Sequence, residues 1–171
     1  MVASNPIETV NVTAQRSSLD TVTAKIQNPP KSINIMPLEV MQQQGTAALQ
    51  DALKNVSGIT LNAGEGGTHG DLVNLRGFAA GDDYFMDGLR DTGLYDRDAF
   101  DYESLEVYKG PASTLFGRGS TGGVINQVLK TPQLYTIADT MLTGGTNNEG
   151  RATLDTNYVL GDTSALRLDG M

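Results

Sequence analysis

Few residues in this sequence could carry covalent or metal chemistry. The 171-residue chain has no cysteine and a single histidine, His69, which excludes thiol catalysis and cysteine-bound metals and argues against a serine–histidine pair. Eight carboxylates lie between Asp82 and Glu103, accompanied only by the cations Arg90 and Arg97. Their spacing does not follow the pattern of a calcium-binding loop. The sequence therefore predicts neither an enzyme nor a directly bound metal ion.

Charge and glycine content argue against two further classes of function. The net charge is −8 and the sequence has no basic stripe, so binding through nucleic-acid phosphates is not expected. The glycine-rich segments 64–67 and 117–123 lack the Gly-x-x-x-x-Gly-Lys-Ser/Thr pattern of a phosphate-binding loop. We interpret both segments as tight backbone bends.

The elements that must position these residues follow from the hydrophobic pattern, which predicts an α+β fold. Residues 1–27 are polar and predict a flexible arm. Residues 28–58 hold two short helices, the second capped by Thr46, ended by Gly58 and buried through Leu49, Ala52, Leu53 and Val56. From residue 59 to residue 132, short strands alternate with glycine- and aspartate-rich loops. In the strand Ser104–Lys109, Leu105 and Val107 face one side of the sheet.

The last stretch, residues 133–171, has a different pattern. Apolar and polar residues alternate from Arg151 to Leu160 and again from Leu166 to Asp169, with turn sequences between the strands. Strands of about ten residues with one apolar face are typical of a membrane β-barrel. An ordinary two-layer β structure has the same pattern, so both readings stay open at this level.

Five motifs, in order, make the chain resemble the plug region of TonB-dependent outer-membrane receptors. They are ETVNVTA (Glu8–Ala14), LQDALKNVSGITL (Leu49–Leu61), NLRGF (Asn74–Phe78), FMDGLRD (Phe85–Asp91) and EVYKGPASTLFGRGSTGGVIN (Glu106–Asn126). The resemblance implies a plug domain over residues 28–132, with a small mixed sheet and short helices. It implies that residues 133–171 are the first antiparallel strands of a 22-stranded barrel, so that the chain is a truncated part of a longer receptor.

The resemblance also implies partners for the arm. Residues of the first motif correspond to a TonB box, namely Glu8, Thr9, Val10, Asn11, Val12 and Thr13. Such a box faces the periplasm and pairs as an added strand with the energy transducer TonB, which works with the ExbB/ExbD motor of the inner membrane. The implied location is the cell outer membrane, with the plug inside the barrel.

A finer resemblance is carried by GITLNAGEGGTHGD (Gly58–Asp71), DGLRDTG (Asp87–Gly93) and FGRGSTGGVIN (Phe116–Asn126). It points to receptors for catecholate siderophores, with the ferric siderophore as transported ligand and no covalently bound cofactor. Three loops, Ala63–Asp71, Phe78–Asp83 and Leu89–Asp101, are implied to face the external vestibule. The candidate ligand contacts in or beside them are His69, Arg90, Tyr95 and Arg97. Tyr95 is expected to stack on a catechol ring and donate a hydrogen bond to its oxygen, while the arginines pair with an anionic complex.

Two more cations, Arg76 and Lys109, occupy positions where the family latches the plug onto carboxylates of the barrel wall. The glycine-rich bends are expected to pack against that wall as well. The acid excess between Asp82 and Glu103 opposes an anionic ligand. Either barrel loops supply positive charge, or several acids cap local turns, or the ligand has a neutral or cationic backbone.

Three alternative functions remain open on the sequence. The first is the same family with another cargo, such as cobalamin, haem or a carbohydrate. The second is a soluble periplasmic binding module, and the third is an enzyme, which the lack of a nucleophile–base pair disfavours.

Overall fold

The computed structural model describes residues 32–61, 70–93, 95–118, 121–146 and 150–171. The predicted arm 1–27 with its box Glu8–Thr13, and the candidate residue His69, lie outside the described residues.

The described elements alternate short strands with short helices and end in three longer strands. The strands are β1 (Ser32–Pro37), β2 (Ile59–Leu61), β3 (Val73–Leu75), β4 (Phe78–Ala79), β5 (Tyr84–Met86), β6 (Leu89–Arg90), β7 (Tyr102–Lys109), β8 (Gly123–Leu129), β9 (Ile137–Gly144), β10 (Gly150–Gly161) and β11 (Ser164–Gly170). The helices are α1 (Leu38–Gln43), α2 (Leu49–Leu53) and α3 (Ser113–Phe116).

A mixed sheet with the strand order β1-β7-β8-β5-β6 organises the first part of the chain. Its strands pair antiparallel except for β5 and β8, which run parallel. A second, small sheet has the order β2-β3-β4. This arrangement confirms the predicted α+β fold with a small mixed sheet and short helices.

The main core lies where α2 and the small sheet pack on one face of the mixed sheet. Leu49, Ala52, Leu53 and Val56 are all buried there, as predicted, but α2 ends at Leu53 and not at Gly58, so Val56 lies beyond the helix. Leu105 and Val107 of β7 point into the same core. Burial of such apolar side chains contributes about 25 cal/mol per Å² of area removed from water.

The opposite face of the mixed sheet carries a smaller aromatic cluster. The ring of Phe116 meets the rings of Phe85 and Tyr108 edge-on, at centroid distances of 4.7 and 4.9 Å. Phe116 belongs to α3, whereas the sequence predicted only a turn over residues 111–117. This helix places an aromatic side chain over a face of the sheet that would otherwise be exposed.

Several boundaries differ from the sequence prediction. The helix α2 begins at Leu49 after Ala48, without a side-chain cap, so Thr46 is not its cap. Instead, the N–H of Leu49 donates to the carbonyl of Arg97 at 2.9 Å, which satisfies one of the free donors at a helix start. The predicted loops 78–83 and 89–101 begin with the short strands β4 and β6.

The strands β9, β10 and β11 form a separate antiparallel sheet, called here the C-terminal sheet. Side chains alternate along β10: Asp155 and Asn157 are buried, whereas Leu154, Tyr158 and Leu160 are exposed. Polar side chains therefore face the rest of the molecule and apolar side chains face outward. In the described part of the chain, every helix is too short or too polar to cross a lipid bilayer.

Candidate ligand-binding loop

Residues 91–93 and 95–97, together called here the loop 91–97, surround the side chain of Arg97, which is only 3% exposed. Its Nε donates to Oδ2 of Asp91 at 2.8 Å. Its Nη1 and Nη2 donate to the carbonyls of Tyr95 and Gly93 at 3.3 and 3.2 Å. The guanidinium thus connects the beginning of the loop, at Asp91 and Gly93, to its end at Tyr95.

Tyr95 lies above this cation and is 43% exposed. The centre of its ring is 4.1 Å from Cζ of Arg97, within cation–π range. Its hydroxyl donates to Oδ2 of Asp91 at 2.7 Å, the same oxygen that accepts from Arg97. Tyr95 is therefore an exposed aromatic residue whose orientation is fixed at both the ring face and the hydroxyl.

Arg97 also connects this loop to two other segments. Oδ2 of the buried Asp71 accepts the main-chain N–H of Arg97 at 2.9 Å and lies 3.6 Å from Nη1. The buried ring of Tyr84, on β5, lies 4.4 Å from Cζ of Arg97. The carbonyl of Arg97 accepts a hydrogen bond from the N–H of Leu49. The loop 91–97 is consequently anchored to the end of the loop before β3, to β5 and to the start of α2.

The environment shifts the pKa of both carboxyls and of the phenol. Burial raises the pKa of Asp71 above its ordinary value, against the lowering effect of Arg97. Partial burial acts in the same direction on Asp91, but hydrogen bonds from Tyr95 and Arg97 outweigh it, so the pKa of Asp91 is lowered. Burial and the hydrogen bond to Asp91 raise the pKa of Tyr95, so its hydroxyl is protonated at neutral pH.

Acidification is expected to release Tyr95 only below the ordinary pKa of aspartate, 3.8. The folded pKa of Asp91 is depressed, so its contribution to stability is complete above 3.8 and disappears as the pH falls through the lower folded pKa. Tyrosine emission of the complete receptor, taken as wild type minus Tyr95→Phe, should change in this acid range. A transition already complete at about pH 5 would contradict this assignment.

Arg97 was expected to pair with an anionic ligand, but its side chain is buried. Its charge is already engaged by Asp91 and Asp71, and its guanidinium lies beneath Tyr95. Asp71 and Asp91 were not predicted from the sequence as functional residues. One feature of the sequence could have indicated their role: Arg97 lies among acidic residues, and a cation in such a loop can form ion pairs with carboxylates of its own chain.

Arg90 belongs to a different network. Its Nη2 donates to the carbonyl of Arg118 at 2.5 Å, and its Nη1 donates to the carbonyl of Asp82 and lies 3.9 Å from the carboxylate of Asp83. Arg90 remains exposed and stands over the ring of Phe85. It bridges the loop before β5 and the glycine-rich bend, beside an open groove that Thr92 and Arg118 also line.

Contacts within the fold engage part of the acid excess between Asp82 and Glu103. Oδ1 of Asp87 accepts the N–H of Leu129 at 3.1 Å, and Oδ1 of Asp98 accepts the N–H of Phe100 at 2.9 Å. Asp98 and Glu103 also pair with Arg151 and Arg167 of the C-terminal sheet. Of the three explanations left open by the sequence, local turn capping is confirmed for Asp98 alone among these carboxylates, whereas Asp87 binds the end of a distant strand and Glu103 pairs with a cation.

Arg76 and Lys109 lie at one common edge of the fold. The side chain of Arg76 crosses Gly58 and Gly110, where added Cβ atoms would lie 3.7 Å from its Cγ and 3.4 Å from its Nη1. Nζ of Lys109 donates to Oγ of Ser57 at 2.8 Å. Among the described residues, neither cation has a carboxylate within 4.0 Å.

Buried ion pairs attach the C-terminal sheet to the mixed sheet. Asp155 of β10 accepts from Nε and Nη2 of Arg167 at 2.9 and 2.8 Å and from Nζ of Lys130 at 2.9 Å. Arg167 also donates to Glu103 at 3.1 Å. Because removing one member of such a group leaves buried charge unpaired, these contacts hold the two sheets together.

Comparisons with known proteins identify the family of this chain. The family model described as TonB-dependent Receptor Plug Domain matches residues 25–124. The chain is 40% identical over 148 residues to the probable TonB-dependent receptor BfrD of Bordetella pertussis, covering 86% of this chain and 20% of that protein. It is 37% identical over 160 residues to the catecholate siderophore receptor Fiu of Escherichia coli K12, covering 92% and 21%.

A solved structure matches as well. The crystal structure of the siderophore receptor PiuA from Acinetobacter baumannii superposes with a TM-score of 0.77 at 36% identity, covering 83% of this chain and 20% of that one. The chain spans about one fifth of the length of the curated relatives it matches.

Proposed function

The chain belongs to the family of TonB-dependent receptor plug domains, and on that premise we propose that it serves an outer-membrane receptor that binds and imports ferric siderophores of the catecholate type. In this proposal, residues 28–132 form the plug and residues 133–171 form the first transmembrane strands. The observation that carries the ligand-binding role is Tyr95, an exposed ring held in one orientation before any ligand arrives. Such preorganisation removes an entropic cost of binding.

The outward face of the C-terminal sheet supports the membrane part of the proposal. Leu142, Leu154, Leu160 and Leu168 are each about half exposed or more, and they share the face that points away from the mixed sheet. A row of exposed leucines on one face of a sheet is unusual for a soluble protein. The outer face of a transmembrane strand requires one.

The arm and the two edge cations complete the proposed transport cycle. Ligand binding changes the order of the arm at Glu8–Thr13, TonB with its ExbB/ExbD motor binds this box by strand addition, and force on the arm opens a path past the plug. Arg76 and Lys109, which lack carboxylate partners within the described residues, latch the plug onto acids of the surrounding barrel.

Ligand titration of the complete receptor tests the proposal. We expect saturable fluorescence quenching by a ferric catecholate, with weaker or no quenching by ferric hydroxamate, ferric citrate and cobalamin. Tyr95→Ala should weaken binding by about tenfold or more, because a fixed aromatic anchor is lost. The matched control is Tyr135→Ala, which removes another exposed tyrosine.

Each result of this titration has a distinct meaning. Equal effects of Tyr95→Ala and Tyr135→Ala would reject the ligand-binding role of the loop 91–97. Binding of hydroxamate, haem or cobalamin instead of catecholate would keep the receptor and replace the cargo.

A further inference from the structure

The hydroxyl of Tyr95 has a defined direction of hydrogen bonding. Its partner Oδ2 of Asp91 lies 2.7 Å away, and an ionised carboxylate only accepts hydrogen bonds. The single proton of the phenol is therefore committed to Asp91. What the hydroxyl still offers to solvent, or to a ligand, is the lone pair of its oxygen.

Arg97 keeps Asp91 in the accepting form. Its Nε binds the same Oδ2 at 2.8 Å, so Asp91 stays ionised and its side chain stays in place. Turning the phenol proton toward a ligand would leave Asp91 with one fewer hydrogen bond in a partly buried position, which is unfavourable. The Arg97–Asp91 pair thus sets Tyr95 as an acceptor.

The charge around the ring of Tyr95 also favours a ligand group that donates a hydrogen bond. Asp71 and Asp91 face Arg97, and the exposed Asp96 is adjacent to it in the chain. Within the described part of this cluster the carboxylates outnumber the cation, so the surroundings of Tyr95 carry net negative charge. An anionic chelating oxygen placed against this hydroxyl would meet an acceptor and like charge.

We infer that Tyr95 accepts a hydrogen bond from the ligand and thereby selects its backbone. The contacting group carries donors, such as an ammonium, an amide N–H or a hydroxyl, and is distinct from the anionic oxygens that hold iron. This reverses the expected direction of the Tyr95 hydrogen bond. The inference rests on the proposed function, since it assigns the part of a ferric siderophore that meets this residue.

The test separates hydrogen-bond donation by the ligand from the effects of the ligand's charge and of the size of the residue 95 side chain. The probes are two ferric tris-catecholates with the same backbone, one bearing a primary ammonium and the other a trimethylammonium group, which keeps the charge and removes the donors. Both are titrated into the complete receptor as wild type, as Tyr95→Phe and as the control Tyr135→Phe. Tyr95→Phe keeps the ring and its contact with Arg97 and removes only the oxygen.

We expect the wild type to bind the ammonium complex at least about tenfold more tightly than the trimethylammonium complex, the range for one hydrogen bond that involves a charged group. Tyr95→Phe should abolish this preference and Tyr135→Phe should keep it. A preference unchanged in Tyr95→Phe, or an equal loss for both complexes, would overturn the inference while the receptor still binds iron chelates. If the wild type bound no ferric complex at all, the proposed function would fail and the inference with it.

Discussion

Gly123→Ala is expected to prevent the mixed sheet from forming. A Cβ at this position would lie 2.1 Å from the carbonyl oxygen of Tyr108 and 2.4 Å from Cδ2 of Leu75, and the φ angle is +146°. The carbonyl of Tyr108 cannot move aside without breaking a ladder, because Tyr108 pairs with Ile33 of β1 on one side and with Val124 of β8 on the other. We expect a loss of more than about 4 kcal/mol in the free energy of unfolding, the range reserved for severe core defects.

The measurement uses the complete receptor and compares three glycines. Hydrogen–deuterium exchange of β7 and β8 amides reports their opening free energy, and receptor abundance in the outer membrane reports assembly. Gly117→Ala, with φ at +81° but no atom within 4 Å of an added Cβ, should cost only about 1–2 kcal/mol from backbone strain. Gly144→Ala, which meets nothing within 4 Å, should stay within about 0.5 kcal/mol. Similar losses for Gly117→Ala and Gly123→Ala would show that strain, and not close packing, sets the requirement for glycine.

For the glycine-rich bend that contains Gly123, the sequence predicted the bend itself but not the strands that pack against it. The bend 117–123 was expected to pack against a surrounding wall. Within the described residues, Gly122 and Gly123 pack against the backbone of this chain, at Leu75 and Tyr108. A glycine-rich segment predicts a bend, because glycine has no Cβ and adopts backbone conformations that other residues rarely adopt. It does not say which strand will approach the bend, since that contact joins segments distant in sequence.

Helices and strands were predictable because their patterns are local in the sequence. The stripe of α2, the two faces of β7 and the alternation in β10 depend on periods of a few residues, which the sequence displays directly. The partners of loop charges have no such period. Arg97 and Arg90 are alike in sequence, both among acids, yet one is buried beneath Tyr95 and the other bridges two carbonyls at the surface.

Arg97→Met is expected to have the second large effect. Methionine fills a similar volume but leaves Asp71, whose side chain is 1% exposed, and Asp91 without their cation. Breaking a buried pair on one side typically costs about 3–5 kcal/mol. We expect increased hydrogen–deuterium exchange in residues 91–99 and at the start of α2, together with weaker ligand binding, because Tyr95 loses its support.

The controls distinguish lost charge pairing from lost volume. Arg118→Met removes an exposed arginine and should change stability by no more than about 0.5 kcal/mol. Adding Asp71→Asn to Arg97→Met should recover part of the loss, because the unpaired buried charge disappears; sites in contact are expected to be non-additive. Asp71 already has a raised pKa, and without Arg97 its charged form is disfavoured further. The defect of Arg97→Met should therefore shrink as the pH falls and Asp71 takes up a proton. A defect of equal size at every pH, and unrelieved by Asp71→Asn, would mean that Arg97 acts through packing alone.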